Sequence, residues 1–288
     1  MSSTINQAAE SLCAGCGEPV TGNFCSHCGE RREHHIFSVF DLVHDLFHTL
    51  THADGTIFRT LLTLLREPGL LTRAYFLGPR RRYLGPVQLF LICNVIFFIA
   101  QSAIGLSTFS SPFEVQMNMQ SYSSYIKPVG QRFLAVAHTP QERSELIQKY
   151  DDHTEHLSKE IVIVLVPAFA ALVGLTFLGT GRKYVEHLVF SLHFYSFFLI
   201  VVLAAVGAMF CVLPFLTRAH IAPNYIFELG SMAILISVST IYLVPALRRY
   251  YELSWAQSVW RACALAFTLI PLIVFYRWVL FYATIWTL

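Results

Sequence analysis

Four stretches of this 288-residue chain, 87–106, 161–178, 188–216 and 229–247, contain no Asp, Glu, Lys or Arg. A fifth, 262–285, is interrupted only by Arg277. Lipid offers backbone N–H and C=O groups no partners, so apolar runs of this length cross a bilayer as helices. The run at 188–216 exceeds one bilayer thickness and must tilt, or bend at Gly207 or Pro214. The expected fold is an all-α integral membrane protein with about five transmembrane helices. A composition of 55% apolar and 13% charged residues excludes a soluble globular class. A formal charge of +2 gives no reason to expect a nucleic-acid partner.

The N-terminal segment has a different chemistry. Cys13-x-x-Cys16-Gly17 is followed by Cys25-x-x-Cys28-Gly29, with eight residues between the pairs. Two such knuckles present four thiolates to one tetrahedral Zn²⁺, and a glycine after each pair lets backbone amides turn toward sulfur. Cys13, Cys16, Cys25 and Cys28 are therefore the candidate metal ligands of a structural zinc ribbon spanning 1–33. Its start, 1–12, is expected to be disordered, and 20–24 to form a turn. Reduced thiolates fit a cytosolic N-terminus, and no secretory signal pattern opens the chain. The other cysteines, Cys93, Cys211 and Cys263, sit singly in apolar runs.

Between ribbon and bundle, 34–83 reads as juxtamembrane amphipathic helices. Apolar residues from Ile36 to Leu50 recur at steps of three and four, a further helix covers 56–65 and ends at Pro68-Gly69, and a third runs from 70 to 77. Asp41, His44, Asp45, His48 and His52 share one side of the first of these, as a solvated face or a second metal or pH-sensitive site. Arg59, Arg66, Arg73 and Arg80 recur every seven residues, joined by Arg81 and Arg82. That basicity suits anionic headgroups at the cytosolic face. Arg80-Arg81-Arg82, Arg182-Lys183, Arg248-Arg249 and Arg261 all fall on one side of a five-span topology. The loop 107–160 carries five Lys or Arg against seven Asp or Glu. A cytosolic N-terminus and an external C-terminus follow. Within that external loop, Thr139-Pro140-x-Glu142 opens a helix that can continue into the second span.

Ionisable groups inside the bundle are the remaining candidates. Glu186 and His193 lie seven apart on one face of the third span, while His187 points elsewhere. A histidine about 10 Å along a span is a functional-site hypothesis, with an interhelical hydrogen bond as the alternative. Glu228 and Arg277 stand toward the outer half, where they can pair or Arg277 can snorkel.

Several segments resemble a family. Arg66-Glu-Pro-Gly69 with Tyr75-Phe-Leu-Gly78-Pro-Arg80-Arg-Arg82-Tyr83-Leu-Gly-Pro86 resembles the "PG…Y-x-x-G-x-R-x-x-Y-x-x-P" segment of a bacterial zinc-ribbon membrane family, domain of unknown function 3667. Tyr184-Val-Glu186-His187-Leu-Val-Phe190-Ser-Leu-His193-Phe194 is similar to its "EHLVF-x-L-H-F" signature, and 242–251 to its exit from span four. The resemblance marks Arg80, Arg82 and Tyr83 beside Glu186, His187 and His193. It implies a multi-pass protein of the bacterial inner membrane with a cytosolic ribbon, and it brings no established activity. Three readings remain open. The bundle binds or passes a small ligand, ion or lipid while the ribbon engages a cytosolic protein partner. Alternatively the chain is an assembly scaffold using ribbon and external loop, or a membrane enzyme using Glu186 and His193. No prenyl-phosphate, HExxH, GxSxG or Walker motif supports the last.

Overall fold

The computed structural model describes residues 11–13, 16–20, 25–27, 55–78, 82–104, 108–218 and 225–288, with the side chains at 11, 210 and 212–231 excepted. The expected helix over 36–50, the histidine stripe and the turn over 20–24 lie outside the described residues.

Two short strands, β1 (Ser11–Leu12) and β2 (Pro19–Val20), pair antiparallel with Ser11 opposite Val20. Ser11 and Leu12, at the end of the segment 1–12, thus take part in this pairing. The ladder continues through Cys13 N–H donating to the Glu18 carbonyl at 2.8 Å, and that bond sets the register.

A helical hairpin follows. Helix α1 (Thr56–Arg66) buries Thr60 and Leu64, with Ile57 and Leu61 half-buried beside them, and turns Arg59 outward. Pro68 stops it: the residue before a proline is pushed out of the helical region, and Glu67 sits at φ −129°, ψ 70°. Gly69, at φ +80°, reverses the chain into α2 (Leu70–Leu77). Thr60 also accepts from the Leu84 amide at 3.1 Å, which ties the hairpin to the start of α3 (Pro86–Ile104).

Beyond α3, the chain builds a cap from α4 (Phe113–Asn118), α5 (Ser123–Leu134) and α6 (Pro140–Ile161). Thr139 and Glu142 form a complete capping box at the start of α6, with proline at the first turn. A 3₁₀ turn at Val162–Val164 joins α6 to α7 (Leu165–Thr176). Pro167 has no N–H to return to Ile163, which accounts for the tightened turn there. Three long helices complete the chain: α8 (Tyr184–Arg218), α9 (Tyr225–Tyr251) and α10 (Trp255–Thr287).

Five segments are long and apolar enough to cross a membrane: α3, the continuous α6–α7 unit, α8 through Met209, α9 from Met232, and α10. The all-α membrane class is what the chain adopts. Helix α8 is the hub, with 67% of its apolar window buried inside the protein, against 33–39% for the other four. It packs extensively against α3 and α7 and more lightly against α9 and the hairpin, while α10 packs against α9 and α6–α7. Stacked rings fill these seams, with Phe169 on Phe194 at 4.9 Å and Phe197 on Tyr242 at 3.7 Å between centroids.

The cap has its own apolar cluster, built from Phe113, Met117, Tyr122, Ile126, Leu134, Tyr150 and Phe281. Its polar groups are paired inside that cluster. The Phe113 amide donates to Asp151 at 2.7 Å, Gln116 donates to the Tyr150 hydroxyl, and Tyr122 donates to Gln116. Burial pushes the Tyr122 phenol up to about 12, against the opposing charge of Arg277. Helix α6 is zipped to the end of α10 by Thr154 with Thr284 at 3.1 Å and His153 with Thr287 at 2.8 Å.

Gly69 is where the hairpin meets the bundle most closely. A Cβ there would lie 2.5 Å from the Ala246 carbonyl oxygen and 2.9 Å from its Cα, both backbone atoms of α9. Gly69→Ala adds this clash to the ~1–2 kcal/mol cost of a left-handed alanine. We expect it to lower the stability of the detergent-solubilised protein by more than about 2 kcal/mol in thermal unfolding. Gly55→Ala is the control: Gly55 has φ +62° and nothing within 4 Å, so only the conformational cost applies. Equal losses in the two variants would contradict the close approach.

Candidate functional site

Glu186, His187 and His193 project from the first three turns of α8, and each meets a different partner. Glu186 is the third residue of the helix. Its carboxylate accepts from the Lys183 amide at 3.1 Å, satisfying a donor that the first turn cannot pair internally. The negative charge also complements the helix N-terminus. The other oxygen takes Arg182 Nη1 at 2.7 Å and the Tyr250 hydroxyl at 2.9 Å. Both oxygens are thus engaged, one by the backbone and the other by Arg182 and Tyr250. Arg182 has a raised pKa: partial burial opposes its charge, and the hydrogen bond and charge of Glu186 outweigh that burial.

His187 is buried and turned toward the end of α7, with Nδ1 2.7 Å from the Tyr251 hydroxyl. Gly174 makes space for it, since a Cβ there would come within 3.3 Å of the ring. Around it runs a layered stack. Arg261 lies 4.8 Å from the Phe177 ring centroid, Phe177 stacks on Tyr251 at 3.9 Å, and Arg182 lies 5.6 Å from the Tyr251 centroid. Cations over ring faces are attracted by the quadrupole, more strongly where water is excluded. This stack joins the end of α7, the start of α8, the end of α9 and the start of α10.

His193 is buried two turns further on. Its Nδ1 is 3.0 Å from Thr72 Oγ1 on α2, a buried contact across 121 residues of sequence. The crevice beside it is lined by Thr72, Gly69, Phe190, Phe194, Tyr242 and Ala246, and has room for about one water molecule. Glu186, Phe190 and His193 all turn toward α9 and the hairpin. Phe190 lies between the other two against Tyr250 and Tyr251, so no shared cavity joins the carboxylate to the imidazole.

The other candidates are more dispersed. Arg82 is exposed and Tyr83 half-buried against the main core, while Arg80 is outside the described residues. Arg277 Nη2 donates to the Thr108 carbonyl at 3.2 Å; the Glu228 side chain lies outside the described set. No sequence pattern marks Thr72, Tyr250 or Tyr251 as partners of these groups. The nearest signals are, for Thr72, a hydroxyl inside the apolar stretch of α2, and for the tyrosines a pair directly after Arg248-Arg249.

In the N-terminal module, the sulfurs of Cys13, Cys16 and Cys25 all lie within 4.8 Å of one another, with Cys16 and Cys25 at 3.6 Å. Zn–S bonds of about 2.3 Å in a tetrahedron place sulfurs about 3.8 Å apart, so these three fit the edges of one metal shell. Gly17 stands at φ +80° and donates to the Cys13 carbonyl at 2.9 Å, closing the first knuckle around the site. Cys28 lies outside the described residues.

With four thiolates at this spacing we expect about one zinc per chain by elemental analysis of the purified protein. Combined Cys13→Ser and Cys25→Ser should abolish it, and retained zinc in that variant would refute the assignment.

A family model described as "Protein of unknown function (DUF3667)" matches residues 54–98. The match covers the hairpin and the first part of α3, and so includes Gly69 and Thr72 but neither Glu186 nor His193. No curated protein and no solved structure matches the chain. Over its hairpin and the helix that follows, the chain is similar to a family whose function is unknown.

Proposed function

We propose that this is a non-enzymatic, multi-pass protein of the bacterial inner membrane, in which the bundle binds or passes a small ligand, ion or lipid. A cytosolic zinc ribbon held by Cys13, Cys16, Cys25 and Cys28 couples that event to a cytosolic partner. The hairpin is the coupling element, because it follows the ribbon in sequence and docks on the hub helix. The observation that carries this reading is the buried Thr72–His193 contact. A buried polar pair is costly to leave unmade, so any change in α8 that moves His193 is felt at α2. A scaffold that recruits proteins through ribbon and cap is the second reading, favoured by the cap's separate apolar cluster.

Two measurements test it. His193→Ala should raise amide exchange across 56–77 by about five- to one-hundred-fold, and His193→Gln, which keeps a hydrogen-bonding group, should restore most of the protection. Loss of protection confined to α8 would remove the coupling. Reporter fusions at residues 1, 130 and 288 should read cytosolic, external and external, as the flanking arginines require. A cytosolic signal at 288 would overturn the topology.

A further inference from the structure

Helix α10 carries the dipeptide Trp260-Arg261 near one end and its mirror image, Arg277-Trp278, near the other. The arginines are 16 residues apart, about 24 Å along a helix at 1.5 Å per residue. A typical hydrocarbon core is about 30 Å thick. Tryptophan beside arginine is the composition of a membrane–water interface, and this helix has it twice, too close together.

Both arginines are fixed at polar levels. Arg261 Nε donates at 3.3 Å to the carbonyl of Thr176, the last residue of α7. Arg277 donates to Thr108, in the connection beyond the end of α3. Gln101, which donates to the Thr108 hydroxyl, lies at that level, and so do Ser158 and the Glu155–Lys159 ion pair on α6. Gln101, Thr108, Glu155, Ser158 and Lys159 line one polar crevice there. Helical side chains lean toward the N-terminus of their helix. Arg261 therefore leans away from the bilayer centre, whereas Arg277 leans toward it and cannot lengthen the span by snorkelling outward.

Helix α7, measured to the Thr176 that Arg261 bonds, gives the same length. From Glu160, the last charged residue of α6, to Thr176 is again 16 residues, or about 24 Å with slightly more for the 3₁₀ turn. Between these levels the outward side chains are apolar: Ile163 and Val164 in the 3₁₀ turn, Leu175 on α7, Phe267 and Phe275 on α10. On α9, by contrast, Glu228 and Arg248 are 20 residues apart, about 30 Å.

We propose that the α7–α10 face is a lipid-binding surface matched to about 24 Å of hydrocarbon, so that the protein thins the bilayer on this side and selects short-chain lipid there. The α9 side meets a bilayer of ordinary thickness. Any tilt of α10 shortens its projection and increases the mismatch. The inference does not depend on which end of the bundle faces the cytosol, or on the function proposed above.

The test uses the full chain in phosphatidylcholine–phosphatidylglycerol vesicles whose monounsaturated chains range from fourteen to twenty-two carbons. In a Trp255→Phe, Trp286→Phe background, Trp260 and Trp278 report on lipid beside this face. Brominated fourteen-carbon lipid should displace eighteen-carbon lipid from it with at least about twofold preference, and the unfolding temperature should peak at the short end of the series. Arg277→Leu extends the apolar run and should move that peak to longer chains. Equal or reversed lipid preference would overturn the proposal, as would a stability peak at eighteen carbons or more. Absence of quenching would overturn it too, by showing that another protein or a second copy covers the face. If Arg277→Leu does not fold, the lipid competition on the unaltered arginine decides alone.

Discussion

A polar group inside an apolar bundle has no water to fall back on, and the first thirteen residues of α8 include Glu186, His187, Ser191, His193 and Ser196. Much of the arrangement at this end of the molecule follows from how four of these are satisfied, while the buried Ser191 hydroxyl has no hydrogen-bond partner among the described residues. Ser196 returns its hydroxyl to the Leu192 carbonyl. The two histidines and the carboxylate find partners on other elements instead: His187 on α9, His193 on α2, and Glu186 on both α9 and the loop before its own helix. Each contact is worth little net, but leaving one unmade in a low-dielectric interior costs more than making it gains. The hub therefore specifies its neighbours through polar contacts, while stacked aromatic rings fill the seams between the helices.

The hairpin shows how the two kinds of contact divide the work. Its exposed ion pairs, Arg73 with Glu252 and Arg249 with Glu67, are both 3.6 Å long and more than a third exposed, so they contribute little. Its position is set by Gly69 lying on the Ala246 backbone, by Thr72 on His193, and by Thr60 at the start of α3. That hairpin is also where the family match falls. A glycine that must be glycine and two threonines with buried partners constrain sequence more tightly than lipid-facing positions, where many apolar residues serve equally.

What was legible in the sequence was whatever a local rule dictates. Lipid imposes length and apolarity, so the long helices could be read from absent charges. Pro68-Gly69 marked the hairpin turn, and Thr139 with Glu142 marked the start of α6. Helices α4 and α5 left no comparable signal, because 108–139 holds no long apolar run and its buried residues come together only against Tyr150 and Phe281, both distant in sequence. Glu186 drew attention as an ionisable group near a membrane. Its role at the start of α8 was hidden because Lys183 occupies the cap position, where Ser, Thr, Asp or Asn would have advertised the motif. The Thr72–His193 pair could not be read at all: a hydroxyl and an imidazole 121 residues apart become partners only through the packing of helices between them.

The two ends of the bundle are built differently, and this bears on how a change inside it would travel. At the cap end, α6 runs into α7 through a single 3₁₀ turn, and α10 lies alongside for its full length, so cap and bundle share continuous backbone. At the hairpin end, the connections are individual side-chain contacts: one carboxylate, two imidazoles and a stack of four rings and cations. Continuous helices move as units, whereas separate contacts can open one at a time at low cost. A shift of α6–α7 would therefore carry the cap with it, whereas a shift of α8 would register as a broken contact at the hairpin. If the bundle senses anything, the hairpin is the end at which a second state can form.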